Sequence, residues 1–400
     1  MTQSTDPFTL LALCARACGH LQVYERLRQY APPSVGRVSI RADDGGWDNL
    51  LALAEQHGLS PLLLAHLQAA GIDLDPQVRQ QLQARALQHA HANRVRAAVL
   101  SEALAALHAA GIPVLILKGA ALAHLVYPGP GLRAMRDIDL LAPDAPRARD
   151  ILLDMGFEPP AYSLPPDHPH LPAVKKWVDG QQVTIEVHYK LFAPEARLGV
   201  TTYDDLAAAA QPFDLGGVTA YTLGKEDMLW HVYAHAFQTP LTYEPFRLIW
   251  IADLVSLVEA WIDAIDWDAV QRRDRRAFNA LPMLHHLTPW SERVLERLAM
   301  DVRRVPADVG QTFAGWPRFS LAAQKDKGLA GTLRDTFCPP EWWLRVRYGV
   351  GGPVSWLWYR CAGHPLHIIL REMPPSISIH AAHHIRLAWN AISGRQLPLC

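Results

Sequence analysis

The run from Val114 to Leu141 limits the folds open to this chain more than any other segment. Val114-Leu115-Ile116-Leu117 is a short apolar run that predicts a buried strand. Lys118-Gly119-Ala120 follows, and Ala120 to Tyr127 reads as a helix that Pro128-Gly129-Pro130-Gly131 must break. Asp137-Ile138-Asp139-Leu140-Leu141 then alternates as a second strand and stops at Pro143. Strand side chains repeat every two residues, so Asp137 and Asp139 share one face while Ile138 and Leu140 take the other.

Two carboxylates roughly 7 Å apart along a strand can share a pair of divalent ions about 3.5–4 Å apart. Oxygen ligands of this kind suit Mg²⁺ or Mn²⁺. Without metal, the like charges repel, so removing either aspartate is expected to leave stability unchanged or slightly higher. A further strand is predicted over Val183 to Tyr189, with Thr184, Glu186 and His188 on one face. If it neighbours the Asp-x-Asp strand, Glu186 completes a three-carboxylate cluster, and His188 shares its face. Small residues at a helix start let backbone N–H groups approach an anion. Lys118, Gly119 and Ala120 are therefore candidate phosphate contacts, with Arg133 and Arg136 flanking the acids to neutralise phosphate charge.

Around this core the pattern is helical. A long helix is predicted from about Pro76 to Ala110, ended by Gly111 and Pro113. Ala145 to Met155 reads as a helix stopped by Gly156, and the proline-rich stretch Glu158 to Pro172 reads as a loop. The expected organisation is an N-terminal helical region over 1–110, an α/β (α+β) core over 111–222, a helical domain over 223–320, and a basic, Trp-rich helical region over 321–400. That last region carries nine Lys+Arg against four Asp+Glu. For Trp342, Trp343, Trp356 and Trp358 the preferred reading is aromatic packing rather than a docking surface.

Lys+Arg number 38 against 39 Asp+Glu, which excludes a strongly basic nucleic-acid binder. Half the residues are hydrophobic, which excludes an acidic disordered chain. The five scattered cysteines form no disulfide framework, and no apolar run is long enough for a membrane span. The expected setting is the cytoplasm. His231 and His235, like His380 and His384, sit four apart on predicted helices, but ordinary packing outweighs a zinc reading. His231 is also a candidate to support the nucleotide pocket.

The segment Leu115 to Leu141 resembles the uncharacterised nucleotidyltransferase family within the polymerase-β-like superfamily. Ile185-Glu186-Val187-His188-Tyr189 resembles its strand with the third acid. Glu226 to His235 and Arg247 to Leu254 look like its two helical motifs. The resemblance covers about residues 50 to 260. It implies a small mixed sheet in which Asp137, Asp139 and Glu186 bind two Mg²⁺ or Mn²⁺ ions. It also implies transfer of a nucleoside monophosphate from an NTP, with ATP the expected donor, to a hydroxyl or similar acceptor, with release of pyrophosphate. Superfamily members usually have Gly-Ser after the first strand, where this chain has Lys118-Gly119-Ala120. The acceptor is expected to be a small molecule, peptide or protein, and nucleic acid is not favoured. Two alternatives stay open: kinase-type phosphoryl transfer in the same pocket, and a non-catalytic nucleotide-binding scaffold for a peptide or protein partner.

Overall fold

The computed structural model describes residues 7–30, 46–164, 168–192, 201–238, 247–302, 330–331, 334, 336–350 and 353–372. Six strands form one mixed sheet: β1 (Leu115–Leu117), β2 (Ile138–Leu141), β3 (Val174–Val178), β4 (Gln181–His188), β5 (Gln211–Asp214) and β6 (Thr219–Thr222). Their order is β3-β4-β2-β1-β6-β5. β1 runs antiparallel to β2 and parallel to β6, and β2 runs parallel to β4. The fold is thus the expected α+β type with a small mixed sheet. Three of the strands, β3, β5 and β6, go beyond the sequence reading. They complete the hairpins β3–β4 and β5–β6.

The helices form for identifiable reasons. Before the sheet come α1 (Pro7–Leu13), α2 (Leu21–Tyr30), α3 (Gly46–Gln56), α4 (Ser60–Ala69) and α5 (Pro76–Ala109). The Asp75 carboxylate caps α5 by accepting the Gln77 N–H, and Pro76 sits in the first turn, where no intrahelical N–H is needed. Gly111, at φ +72°, takes the left-handed turn that ends it. α6 (Lys118–Leu125) starts two residues before the expected Ala120. No loop separates it from β1, because Leu117 is both the last strand residue and the helix cap. α7 (Ala145–Asp154), capped by Asp144, and α5 both pack against β4.

After α8 (Tyr203–Ala208) come α9 (Lys225–Phe237), α10 (Leu248–Trp261), α11 (Trp267–Leu287), α12 (Glu292–Arg297) and α13 (Glu341–Tyr348). α6 lies against β1, β2 and β5 and also meets α9 and α10, so these two helices reach the end of the sheet where Lys118 sits. Apolar side chains from Phe8 to Ile368 enter one contiguous core. Trp342 and Trp343 are buried on α13, which packs against α11, as the packing reading expects, whereas Trp356 is half-buried and Trp358 exposed, so that reading does not extend to the second pair. His380 and His384 lie outside the described residues. No described helix is long and apolar enough to cross a membrane.

Candidate active site

The sheet register builds the site. Leu117 pairs with Asp139 across β1–β2, and Asp139 pairs with Glu186 across β2–β4. Two residues along, Leu141 pairs with His188. Alternation then puts Asp139, Glu186 and His188 on one face, while Ile138, Leu140, Ile185 and Val187 are buried in the core. Lys118, the residue after β1, reaches the same row. Its backbone is left-handed (φ +46°), a conformation that costs a non-glycine residue about 1–3 kcal/mol. Its Nζ lies 3.0 Å from Asp139 Oδ1, and His188 Nε2 approaches the same oxygen at 2.9 Å. His188 Nε2 is also 3.8 Å from Glu186 Oε2, and His170 Nε2 is 3.4 Å from it.

These groups line a cleft of about 340 Å³ that also includes Gly119, Arg133, Arg136, Asp137, His235 and Asp253. Electrostatics divides the two aspartates. Burial opposes the charge on Asp139, but Lys118 and then His188 hold its carboxyl well below the usual range. Burial, followed by repulsion from Asp139, pushes Asp137 up, against Lys118, Arg247 and Arg133. Burial works against the Lys118 ammonium, yet Asp139, then Asp137 and Glu186, hold it above the ordinary lysine value. Burial and the adjacent His188 push His170 down to about 3.

Asp139, Glu186 and His188 each offer one ligand atom, all within 4.8 Å of one another. Such a donor set, mainly carboxylate oxygen, fits a divalent cation. Asp137 stands outside this compact trio, since β2 begins only at Ile138, but it lines the same cleft. His188, read from sequence as support, stands among the three potential ligands.

Arg133, expected at the phosphates, is tied into the fold. It makes a two-point ion pair with Asp253 of α10, Nη2 to Oδ2 at 2.5 Å and Nε to Oδ1 at 3.1 Å. The Tyr127 hydroxyl donates to the same carboxylate at 2.8 Å. The Arg133 Nη1 also explains Gly119: a Cβ there would lie 2.3 Å from that nitrogen. Asn93 of α5 donates to the carbonyls of Pro130 and Arg133, pinning the turn that carries the arginine.

The other sequence candidates sit at different depths. Arg136 is exposed at the cleft, and Ala120 is buried inside α6 with no side-chain surface on the cleft. His231 is fully buried beside Phe192 and does not line the cleft. Its neighbour one turn on, His235, lines the cleft instead. Sequence reasoning passed over His168, His170, Arg247 and Asp253 as site residues. The pair His168-Pro169-His170 inside a proline-rich loop was the available signal for the histidines, while Arg247 and Asp253 lie in the segment that resembles a helical motif of the family and read as helix-packing or ion-pair residues, as Asp253 is through Arg133.

The fold and cleft together define a mixed-sheet protein with a carboxylate row flanked by a lysine and an arginine. It belongs to the uncharacterised nucleotidyltransferase family, whose model matches residues 43–289, more than half the chain. The crystal structure of an antigenic nucleotidyltransferase-like protein from Paracoccidioides brasiliensis is similar at 19% identity and a TM-score of 0.33, covering 51% of this chain and 96% of that one. No curated protein matches the chain.

Proposed function

We propose that this protein transfers a nucleoside monophosphate from an NTP, with ATP the expected donor, to a hydroxyl-bearing acceptor and releases pyrophosphate. The observation that carries the reading is the row Lys118–Asp139–Glu186, set side by side by the pairing of β1, β2 and β4, with Asp137 on the same cleft. Asp137, Asp139, Glu186 and His188 are the residues that would hold Mg²⁺ or Mn²⁺, as a pair of ions. When bound, such ions neutralise phosphate charge and favour loss of the acceptor's proton.

The chain's own groups supply the rest. Lys118 and the Gly119 backbone N–H, at the start of α6, would bind the β- and γ-phosphates. Arg136 would add charge at the cleft mouth. The acceptor oxygen forms a bond to the α-phosphorus, the bond from that phosphorus to the bridging oxygen breaks, and pyrophosphate leaves with the electron pair. Glu186 takes the acceptor's proton. His170, with Nε2 3.4 Å from its carboxylate, would position it.

Incubation with α-labelled and γ-labelled ATP, GTP, CTP and UTP, with Mg²⁺ or Mn²⁺, tests this. The expected products are pyrophosphate and an α-labelled acceptor. ADP with a γ-labelled acceptor would replace the reading with a kinase. Nucleotide binding without turnover on any acceptor tested would replace it with a nucleotide-binding scaffold.

A further inference from the structure

The N-terminal helices contribute no ligand to the carboxylate row, yet they wall a second cavity beside it. This cavity, about 440 Å³, takes Glu55 from α3 and Arg85 and His89 from α5, and it shares Ala134, Arg136 and Arg247 with the cleft. None of the site acids lines it. Its one described carboxylate, Glu55, is already engaged: His89 Nε2 lies 3.0 Å away and the Ser60 hydroxyl donates at 2.8 Å. The His89 hydrogen bond, ahead of opposing burial and the Ser60 hydroxyl, holds that carboxyl at about 2. Against it stand guanidinium groups. Arg85 is partly buried and fixed by donating from Nη1 to the Leu51 carbonyl at 2.7 Å. A guanidinium carries five N–H donors in a planar fork, so one so anchored keeps donors for a bidentate anion. Arg136 is exposed on the wall common to both cavities, next in sequence to Asp137.

We propose that this second cavity anchors the acceptor, and that the acceptor carries a phosphate or carboxylate group at the end away from its reacting hydroxyl. The inference rests on the nucleotidyl-transfer reading, in which the cleft itself is occupied by the nucleotide. Group transfer needs two ligands side by side, and the shared wall at Arg136 brings the second cavity up to the carboxylates. A fixed arginine fork selects planar or tetrahedral anions over neutral alcohols.

The test uses inorganic phosphate and acetate as stand-ins for the two kinds of anionic end. Each is titrated by NMR line broadening against the full chain, alone and saturated with Mg²⁺ and α,β-methylene ATP. Phosphate or acetate is expected to bind the analogue-saturated protein, and the stronger of the two identifies the acceptor's anion. Arg85→Gln should weaken that binding at least about ten-fold, as expected for loss of a charged hydrogen bond, and leave analogue affinity within about two-fold. Arg85→Lys should recover part of the loss, which a merely unfolded variant would not. Displacement of the anion by the analogue would assign it to the triphosphate site and overturn the proposal. So would equal weakening of anion and analogue, or absence of anion binding to the saturated chain. Failure of the wild-type chain to bind the analogue would instead sink the nucleotidyl-transfer reading. Arg85-dependent anion binding by the chain alone would then still uphold the cavity as an anion site.

Discussion

On one wall of the cleft, Asp139, Glu186 and His188 stand where the β2–β4 ladder puts them. On the other, Arg133 and Asp253 stand where a buried ion pair between distant parts of the chain puts them, with the Tyr127 hydroxyl bonded to Asp253 behind them. The backbone holds the first wall, and a lost side chain there leaves its neighbours in place. The second wall is held by its own side chains, so a lost member removes the support for the rest. Substitutions on the strands should therefore strike chemistry, and substitutions around Arg133 should strike the fold first.

The sharpest break of that contrast is Asp253→Ala. It leaves the buried Arg133 guanidinium without its counter-charge and the Tyr127 hydroxyl without its acceptor. Breaking such a pair costs about 3–5 kcal/mol. Urea unfolding is expected to show a loss of that size, and a loss under about 1 kcal/mol would mean that the pair does not hold the second wall.

Asp139→Asn comes next. Turnover should fall about 10²–10³-fold, the usual loss for one preorganised electrostatic group. The variant also separates two neighbours that sequence treats alike. Removing either aspartate was expected to relieve repulsion, but Asp139 is the partner of the buried Lys118. Its loss should lower the melting temperature of the metal-free protein. Asp137, whose carboxyl is pushed up by burial and by Asp139, should leave stability unchanged or slightly higher when replaced by Asn. Equal melting shifts for the two variants would erase the distinction.

The same division decides what the sequence shows. Asp139 and Glu186 are legible because strand alternation assigns their face and the apolar partners Ile138, Leu140, Ile185 and Val187 confirm it. Lys118 is legible because a strand meets a helix there. The β3–β4 hairpin was open to reading, since Asp179-Gly180 takes two consecutive positive φ angles, +48° and +72°. It was missed because β3 carries Lys175, Lys176 and an exposed Trp177 at a sheet edge, where no clean apolar face forms. Gly216-Gly217 signals the β5–β6 turn in the same way. Asp253 and Asn93 are a different case. Their roles depend on partners 120 and about 40 residues away, and no local period encodes such a contact.

Glu186→Gln sharpens the strand wall further. The amide keeps the size of the side chain but cannot take a proton, so turnover should drop by about 10²-fold, the lower end for loss of a general base. Nucleotide affinity rests on Lys118 and the α6 N–H groups in this reading and should survive. The two quantities are to be measured on one preparation. Lost affinity together with lost rate would place Glu186 under the triphosphate instead.

The smallest effect concerns how the N-terminal helices are tied to the second wall. His57, between α3 and α4, accepts the Leu248 N–H at Nδ1 (3.1 Å), just where α10 begins its run to Asp253. That bond needs a neutral ring. Burial, then the charge of Arg247, pushes His57 down to about 4 from an unfolded value near 6.5. Between those values the unfolded chain binds the proton more readily than the folded one. Stability from this group is therefore complete above about 6.5 and is lost as pH falls toward 4. For a shift of that size, the loss between pH 7 and pH 5 is about 2 kcal/mol. His57→Asn removes the titration, so its unfolding free energy, read from urea titrations, should fall less over this interval than that of the wild type by roughly that amount. His66 and His285, also pushed down to about 4 by burial, titrate in both proteins and cancel in the comparison. Identical acid slopes for the two proteins would show that the α10 junction does not feel the His57 proton, and would leave Asp253 and Arg133 as the tie that holds this wall.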